Sequence, residues 1–201
     1  MDSSDVRAAA GESITVLGAA TDRDWDLPVP DLEWDVARVV RHMSEVCLWY
    51  AADLTAGPRE LSTMQISVTP TTPPGDLVDT LKTFAEVLAR VIDGSAPDVR
   101  GWHPFGMADP SGYAAMACDE ILVHSYDAAL GLGAAYQPDP GLCERTLRRI
   151  FPWAPTGTDP WQALLWANGR IPLPDRPRLT KWRWHCAPLD EWSGEAPIEP
   201  A

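Results

Sequence analysis

The sequence predicts a mainly α-helical fold: a four-helix bundle followed by a short C-terminal cap that could be α/β. Three observations carry this prediction. Apolar residues recur at helical spacing in four segments of similar length, irregular stretches separate these segments, and the last third alternates proline with tryptophan and arginine. A chain of 201 residues, 45% of them hydrophobic, is long enough to bury one core. We expect residues 1–133 to form the bundle and residues 134–201 to form the cap.

The first two predicted helices lie in the N-terminal quarter of the chain. Between Asp5 and Leu17, apolar residues recur every three or four positions, which is the spacing of an amphipathic helix. The next stretch contains two prolines and several aspartates. Both residue types interrupt helices, so we predict a loop there. Asp35 is a suitable N-cap for the second helix, whose apolar stripe continues to Leu54.

The third and fourth helices complete the predicted bundle. Leu77 to Ile92 again shows helical spacing, after a loop rich in proline and threonine. The segment from Tyr113 to Leu132 is apolar on most sides and is followed by Gly133, which predicts a buried helix with a glycine stop. Two short helices are expected in the cap, at residues 139–150 and 161–167.

Charge and composition exclude several classes of partner. Acidic residues outnumber basic ones 29 to 16, for a net charge of −13, so the surface repels nucleic-acid phosphates and anionic lipids. No segment resembles a membrane span or a signal peptide, and we therefore expect a cytoplasmic protein without nucleic-acid or membrane partners. The four cysteines are widely scattered without a C-x-x-C motif, which favours reduced thiols over a zinc knuckle.

The fourth predicted helix carries a pair of residues that could bind a metal. Glu120 and His124 are four residues apart, so their side chains share one helix face with about 5–6 Å between the Cβ atoms. A carboxylate oxygen and an imidazole nitrogen at this spacing can reach one cation, although a solvated ion pair is the alternative interpretation. Asp127, one turn further, is either an acceptor for His124 or a solvated aspartate, and Asp119 is expected to point elsewhere.

A third candidate ligand lies on the second predicted helix. His42 lies about 100° from Met43, the centre of the apolar stripe, and therefore at the edge of the buried face. Such a histidine is either a half-exposed packing residue or a ligand. Trp49 lies on the same side and needs a cover, for which the tryptophan-rich cap is the candidate. A concave site between the bundle and the cap is the resulting prediction.

Three segments together resemble the DinB-like superfamily of bacterial metal-binding bundles. They are Trp34 with the following Val39-Val40-Arg41-His42, the segment Asp119-Glu120-Ile121-Leu122-Val123-His124, and the segment Leu164-Leu165-Trp166-Ala167-Asn168-Gly169-Arg170. Within this superfamily the chain is most similar to the mycothiol-dependent maleylpyruvate isomerase group, and the resemblance extends over most of the sequence.

The resemblance implies a metal site and a thiol cosubstrate. It implies that one histidine of the second helix and a Glu-x-x-x-His pair of the last bundle helix bind a divalent metal, usually zinc; these positions are His42, Glu120 and His124. The cosubstrate would be mycothiol if the source is an actinobacterium. Residues near the cap are candidates for the pocket, although its tryptophans could also serve only to pack the cap. The candidate catalytic residues are Arg170 and His185, and the candidate thiol-binding residues are Trp166, Asn168 and Trp184.

Two imidazoles and one carboxylate leave a divalent metal with an open coordination position, as in catalytic sites. A thiol at that position would be delivered as thiolate, whereas water would become a hydroxide nucleophile. The leading hypothesis is therefore a metal- and thiol-dependent transferase or isomerase acting on a small electrophile. The alternatives are a metal-dependent hydrolase and a noncatalytic metal-binding stress protein, and in each case the chain could form a homodimer.

Overall fold

The computed structural model describes residues 1–63 and 65–200, and these residues form a mainly helical fold, as predicted. A small antiparallel strand pair lies near the C-terminal end of the described chain. The helices are α1 (Ser3–Gly18), α2 (Val36–Ala56), α3 (Pro74–Asp93), α4 (Pro110–Leu132), α5 (Pro140–Ile150) and α6 (Pro160–Ala167). The strands are β1 (Gly101–His103), β2 (Gly106–Ala108), β3 (Leu179–Lys181) and β4 (Glu199–Pro200).

Aspartates fix where most of the helices begin. An aspartate is the N-cap of every described α-helix except α3, and its carboxylate accepts a hydrogen bond from a backbone N–H of the first turn. The α3 helix begins instead with Pro73 and Pro74, where the missing N–H is not needed. The caps are Asp2, Asp35, Asp109, Asp139 and Asp159.

The four long helices pack against one another and bury α4 between their partners. The α2 helix packs on α3 and α4, and α1 packs on the same two helices. Met116, Ile121 and Leu122 of α4 are fully buried, which explains why the sequence of this helix is apolar on most sides. In the described part of the chain, no helix combines the length and the apolar character that crossing a bilayer requires.

The C-terminal third packs on this group of helices through α5, which contacts both α4 and α6. The division of the chain at residue 133 stays a prediction. All four cysteines are buried and free, in agreement with the reduced thiols expected from the sequence.

The hairpin formed by β1 and β2 replaces what the sequence predicted as an irregular stretch. It places His103 against the rings of Tyr50, Phe105 and Trp184, with ring centroids 5.3 to 6.0 Å apart, so this histidine is half-buried among aromatic side chains. The Phe105 amide donates to His103 Nδ1 at 3.2 Å, which leaves the proton of the neutral ring on Nε2. Burial lowers the pKa of His103 to about 4.

Protonation of His103 should make the stability of the fold depend on pH. The unfolded chain takes up this proton near pH 6.5 and the folded chain only near pH 4, so the free energy of unfolding falls as the pH decreases through this window. Between pH 7 and pH 5 the free energy of unfolding should fall by about 1 kcal/mol more in the wild type than in His103→Gln, a modest difference because the ring is only half-buried. Urea denaturation at pH 8, 7 and 5 measures the free energy of unfolding of both proteins. The same dependence on pH in the wild type and in His103→Gln would contradict the expectation.

Candidate metal centre

The structure brings His42, Glu120 and His124 together at the interface of α2 and α4. Each residue offers one ligand atom, and these atoms all lie within 4.8 Å of one another. His42 Nε2 lies 3.4 Å from Glu120 Oε2, and His124 Nε2 lies 3.2 Å from the same oxygen. The packing of α2 on α4 thus brings His42 to the Glu120–His124 pair and forms one cluster of two imidazole nitrogens and one carboxylate.

Trp34 covers the two imidazoles from the loop before α2. Its ring centroid lies 4.9 Å from that of His42 and 6.0 Å from that of His124. The backbone of this loop is held by the Val29 amide, which donates to the Trp34 carbonyl. As a result the His42 side chain is only 24% exposed, although it lies at the edge of the apolar stripe. The cover that the sequence predicted from the cap was for Trp49, and a cover over the imidazoles from the loop before α2 was not predicted.

The other ring nitrogen of His124 faces Asp127. His124 Nδ1 lies 2.9 Å from Asp127 Oδ2, and this carboxylate also accepts hydrogen bonds from Arg170 Nη2 at 2.7 Å and Nε at 3.3 Å. Only 4% of the Asp127 side chain is exposed. Of the two interpretations that the sequence left open for Asp127, the buried acceptor agrees with the structure, and the solvated aspartate does not.

Hydrogen bonds within the cluster outweigh burial and keep Glu120 and His124 in their charged forms. Burial raises the pKa of Glu120, but hydrogen bonds from His124 and His42 outweigh it and hold the pKa below its usual value. Burial lowers the pKa of His124, but hydrogen bonds to Asp127 and Glu120 outweigh it and hold the pKa above its usual value. A cation at this centre therefore competes with a proton on His124.

The donor set fits a divalent transition metal. Two ligand atoms that are each about 2.0–2.1 Å from a tetrahedral ion lie roughly 3.3 Å apart, and both nitrogen–oxygen separations are close to this value. The Nδ1 contact of His124 with Asp127 is the arrangement by which carboxylates fix the orientation of a metal-binding imidazole. Two imidazoles and one carboxylate suit zinc, iron or nickel, so the residues fit a metal without identifying it.

A second buried carboxylate of α4 connects the centre to the cap. Asp119 accepts hydrogen bonds from Asn168 Nδ2 at 2.7 Å and from Trp184 Nε1 at 2.8 Å. Burial raises the pKa of Asp119 to about 7. The expectation that this residue points away from the site was wrong, because its side chain enters the cap and lines the same cavity as Glu120.

Two neighbouring cavities open beside the cluster. The smaller one, of about 90 Å³, is lined by Glu120 and His124 among others. The larger one, of about 510 Å³, lies between α4 and the cap and has Asp127 in its wall. Both cavities share lining residues from the cap and are therefore adjacent, but only the smaller one is lined by residues of the cluster. The shared residues are Asn168, Arg170 and Trp182.

The five candidate residues of the cap are distributed over different environments. Asn168, Arg170 and Trp184 line the smaller cavity beside the cluster. Trp166 is buried outside both cavities, where its Nε1 donates to the Pro177 carbonyl. His185 lies in a separate cavity of about 130 Å³, and its Nε2 is 2.9 Å from the Pro188 carbonyl oxygen. The structure therefore does not bring Trp166 or His185 to the cluster, and their roles stay predictions.

Comparison with known proteins identifies a family over most of the helical region. The family model of the mycothiol maleylpyruvate isomerase N-terminal domain matches residues 6–129. This range is more than half of the chain and contains all three residues of the cluster. No curated protein and no solved structure matches the chain.

Proposed function

Because the chain belongs to the family of the mycothiol maleylpyruvate isomerase N-terminal domain, we propose that it is a metal-dependent enzyme that uses a low-molecular-weight thiol, mycothiol, on a small electrophilic substrate. Release of the thiol after bond rotation in the substrate would make the protein an isomerase, and retention would make it a transferase. The observation that supports this proposal most is the convergence of two imidazole nitrogens on one carboxylate oxygen beside a cavity.

We propose that His42, Glu120 and His124 hold the metal, with zinc as the candidate. A divalent cation bound there would lower the pKa of a thiol and supply thiolate at neutral pH. Asp127 accepts the Nδ1 proton of His124 and so directs Nε2 at the centre. Trp34 covers both imidazoles and excludes water from that side.

We propose that the thiol cosubstrate and the substrate occupy the cavities between α4 and the cap. The smaller cavity admits only the reacting atoms, whereas the larger one has room for the remainder of a cosubstrate. Asn168 and Trp184 shape the smaller cavity, and their hydrogen bonds to Asp119 hold them in place. No basic surface is required, because a neutral thiol does not need one.

A thiol-dependence assay tests this function. The zinc-loaded protein is incubated with maleylpyruvate, with 1-chloro-2,4-dinitrobenzene or with p-nitrophenyl acetate, each with and without mycothiol. We expect turnover of one of the first two compounds only when both zinc and mycothiol are present, and loss of that turnover after chelation. Isomerisation and conjugation are followed by absorbance.

The other outcomes identify the alternative functions. Hydrolysis of p-nitrophenyl acetate that needs zinc but not mycothiol would replace the proposal with a metal-dependent hydrolase. Zinc binding without turnover of any of the three compounds would favour a noncatalytic metal-binding protein.

A further inference from the structure

We propose that Arg170 is a positioning residue of the metal centre: it holds Asp127 in place, and Asp127 in turn orients His124. This inference rests on the proposed metal binding. It assigns to Arg170 a role different from the direct catalytic role that the sequence predicted. It also makes the cap part of the metal centre, although all three candidate ligands lie on α2 and α4.

The guanidinium of Arg170 is already engaged by protein oxygens. Its Nε and Nη2 donate to the two carboxylate oxygens of Asp127, and its Nη1 donates to the Asn168 carbonyl at 3.0 Å. The Arg170 side chain is 18% exposed. A substrate anion that used this guanidinium would have to replace the paired contact with Asp127, which is the strongest geometry an arginine can form with a carboxylate.

Asp127 depends on this contact because it is buried and charged. It touches an imidazole on one side and a guanidinium on the other, and only 4% of its side chain is exposed. Removal of one partner from a buried charged group leaves the remaining charge poorly compensated and free to reorient. Loss of Arg170 should therefore release Asp127 from the position in which it accepts from His124 Nδ1.

The contact also spans two parts of the chain. Arg170 follows α6, whereas Asp127 is 43 residues earlier on α4, in the turn that follows His124. Asn168, two residues before Arg170, binds Asp119 instead, so these two cap residues contact α4 before and after the Glu120–His124 pair along the helix. This arrangement allows the two anchors to be tested separately.

Zinc affinity, measured by competition with the chelating dye 4-(2-pyridylazo)resorcinol, tests the inference without any enzyme assay. We expect Asp127→Ala to weaken zinc binding about 10- to 100-fold, the usual effect of losing a carboxylate that orients a ligand histidine. Arg170→Ala should weaken it about 10-fold, and Arg170→Lys should restore part of the loss. The double variant should bind zinc no more weakly than Asp127→Ala, because both changes act through one contact.

Two matched controls separate positioning from general loosening of the cap. Asn168→Ala removes the neighbouring anchor, and Arg178→Ala removes another arginine of the larger cavity that does not contact Asp127. Both should keep wild-type zinc affinity. The inference is overturned if Arg170→Ala binds zinc as well as the wild type, or if Asn168→Ala weakens binding as much as Arg170→Ala does. If the wild-type protein itself does not bind zinc, the proposed function fails first.

Discussion

Glu120→Gln, His42→Ala and His124→Ala will each lose zinc binding, with affinity falling by more than about 100-fold. This limit follows because loss of an outer partner of a ligand already costs roughly 10- to 100-fold, whereas the two histidine changes remove a ligand atom and Glu120→Gln removes the negative charge of a ligand. Glu120→Gln is the sharpest of the three, since it keeps the shape of the side chain and removes the charge that faces both imidazoles. Equilibrium dialysis followed by elemental analysis measures the bound metal.

The matched control is Glu144→Gln, which changes the same atoms on the surface of α5. Glu144 pairs with Arg148, and its side chain is 46% exposed, so this change should leave the zinc content at the wild-type level. Circular dichroism verifies that each variant is folded. If the three cluster variants retain wild-type zinc stoichiometry while folded, the metal is bound elsewhere and our assignment of the centre is wrong.

Gly112→Ala will produce the largest loss of stability that we expect from a single added methyl group. A Cβ at this position would lie 2.1 Å from the Cys186 carbonyl oxygen and 2.9 Å from Arg149 Nη2. Because the nearer atom belongs to the backbone, relief requires the segment around Cys186 to move away from α4. We expect a loss of about 3 kcal/mol, the upper end of ordinary overpacking, and a melting temperature lower by about 6–12 °C.

Gly11→Ala is the control for this substitution. Gly11 lies in the interior of α1, and a Cβ there meets no atom within 4 Å. The same change should therefore raise stability by about 0.5–1 kcal/mol, since alanine favours a helix over glycine. Thermal melts followed by circular dichroism compare the two variants. Equal effects at both positions would show that the contact between α4 and the Cys186 backbone is not tightly packed.

The helices could be predicted from the sequence because their signals are local. Apolar spacing identified the four long helices, the two short helices of the cap were also expected, and Asp35 marked the start of α2 correctly. The start of α4 was predicted at Tyr113, three residues late, because the cap of Asp109 and the proline after it were not used. The hairpin of β1 and β2 was missed, since strands of three residues are too short to show an alternating pattern.

The candidate site was predictable only where its residues share a helix or match a family pattern. Glu120 and His124 follow from a spacing of four, and His42 came from the resemblance rather than from its own position. The contacts that complete the centre depend on tertiary packing between distant segments. For this reason the cover by Trp34 and the cap contacts of Asp119 could not be read from spacing.

Asp119 and Asp127 bind the cap at two positions on the same helix, α4. Eight residues of helix separate them, a distance of about 12 Å along the axis of α4. Because the cap is attached at both positions, it cannot rotate about one contact without breaking the hydrogen bonds of the other. We therefore expect the cavities between α4 and the cap to keep their width when a compound enters, with little hinge motion of the cap.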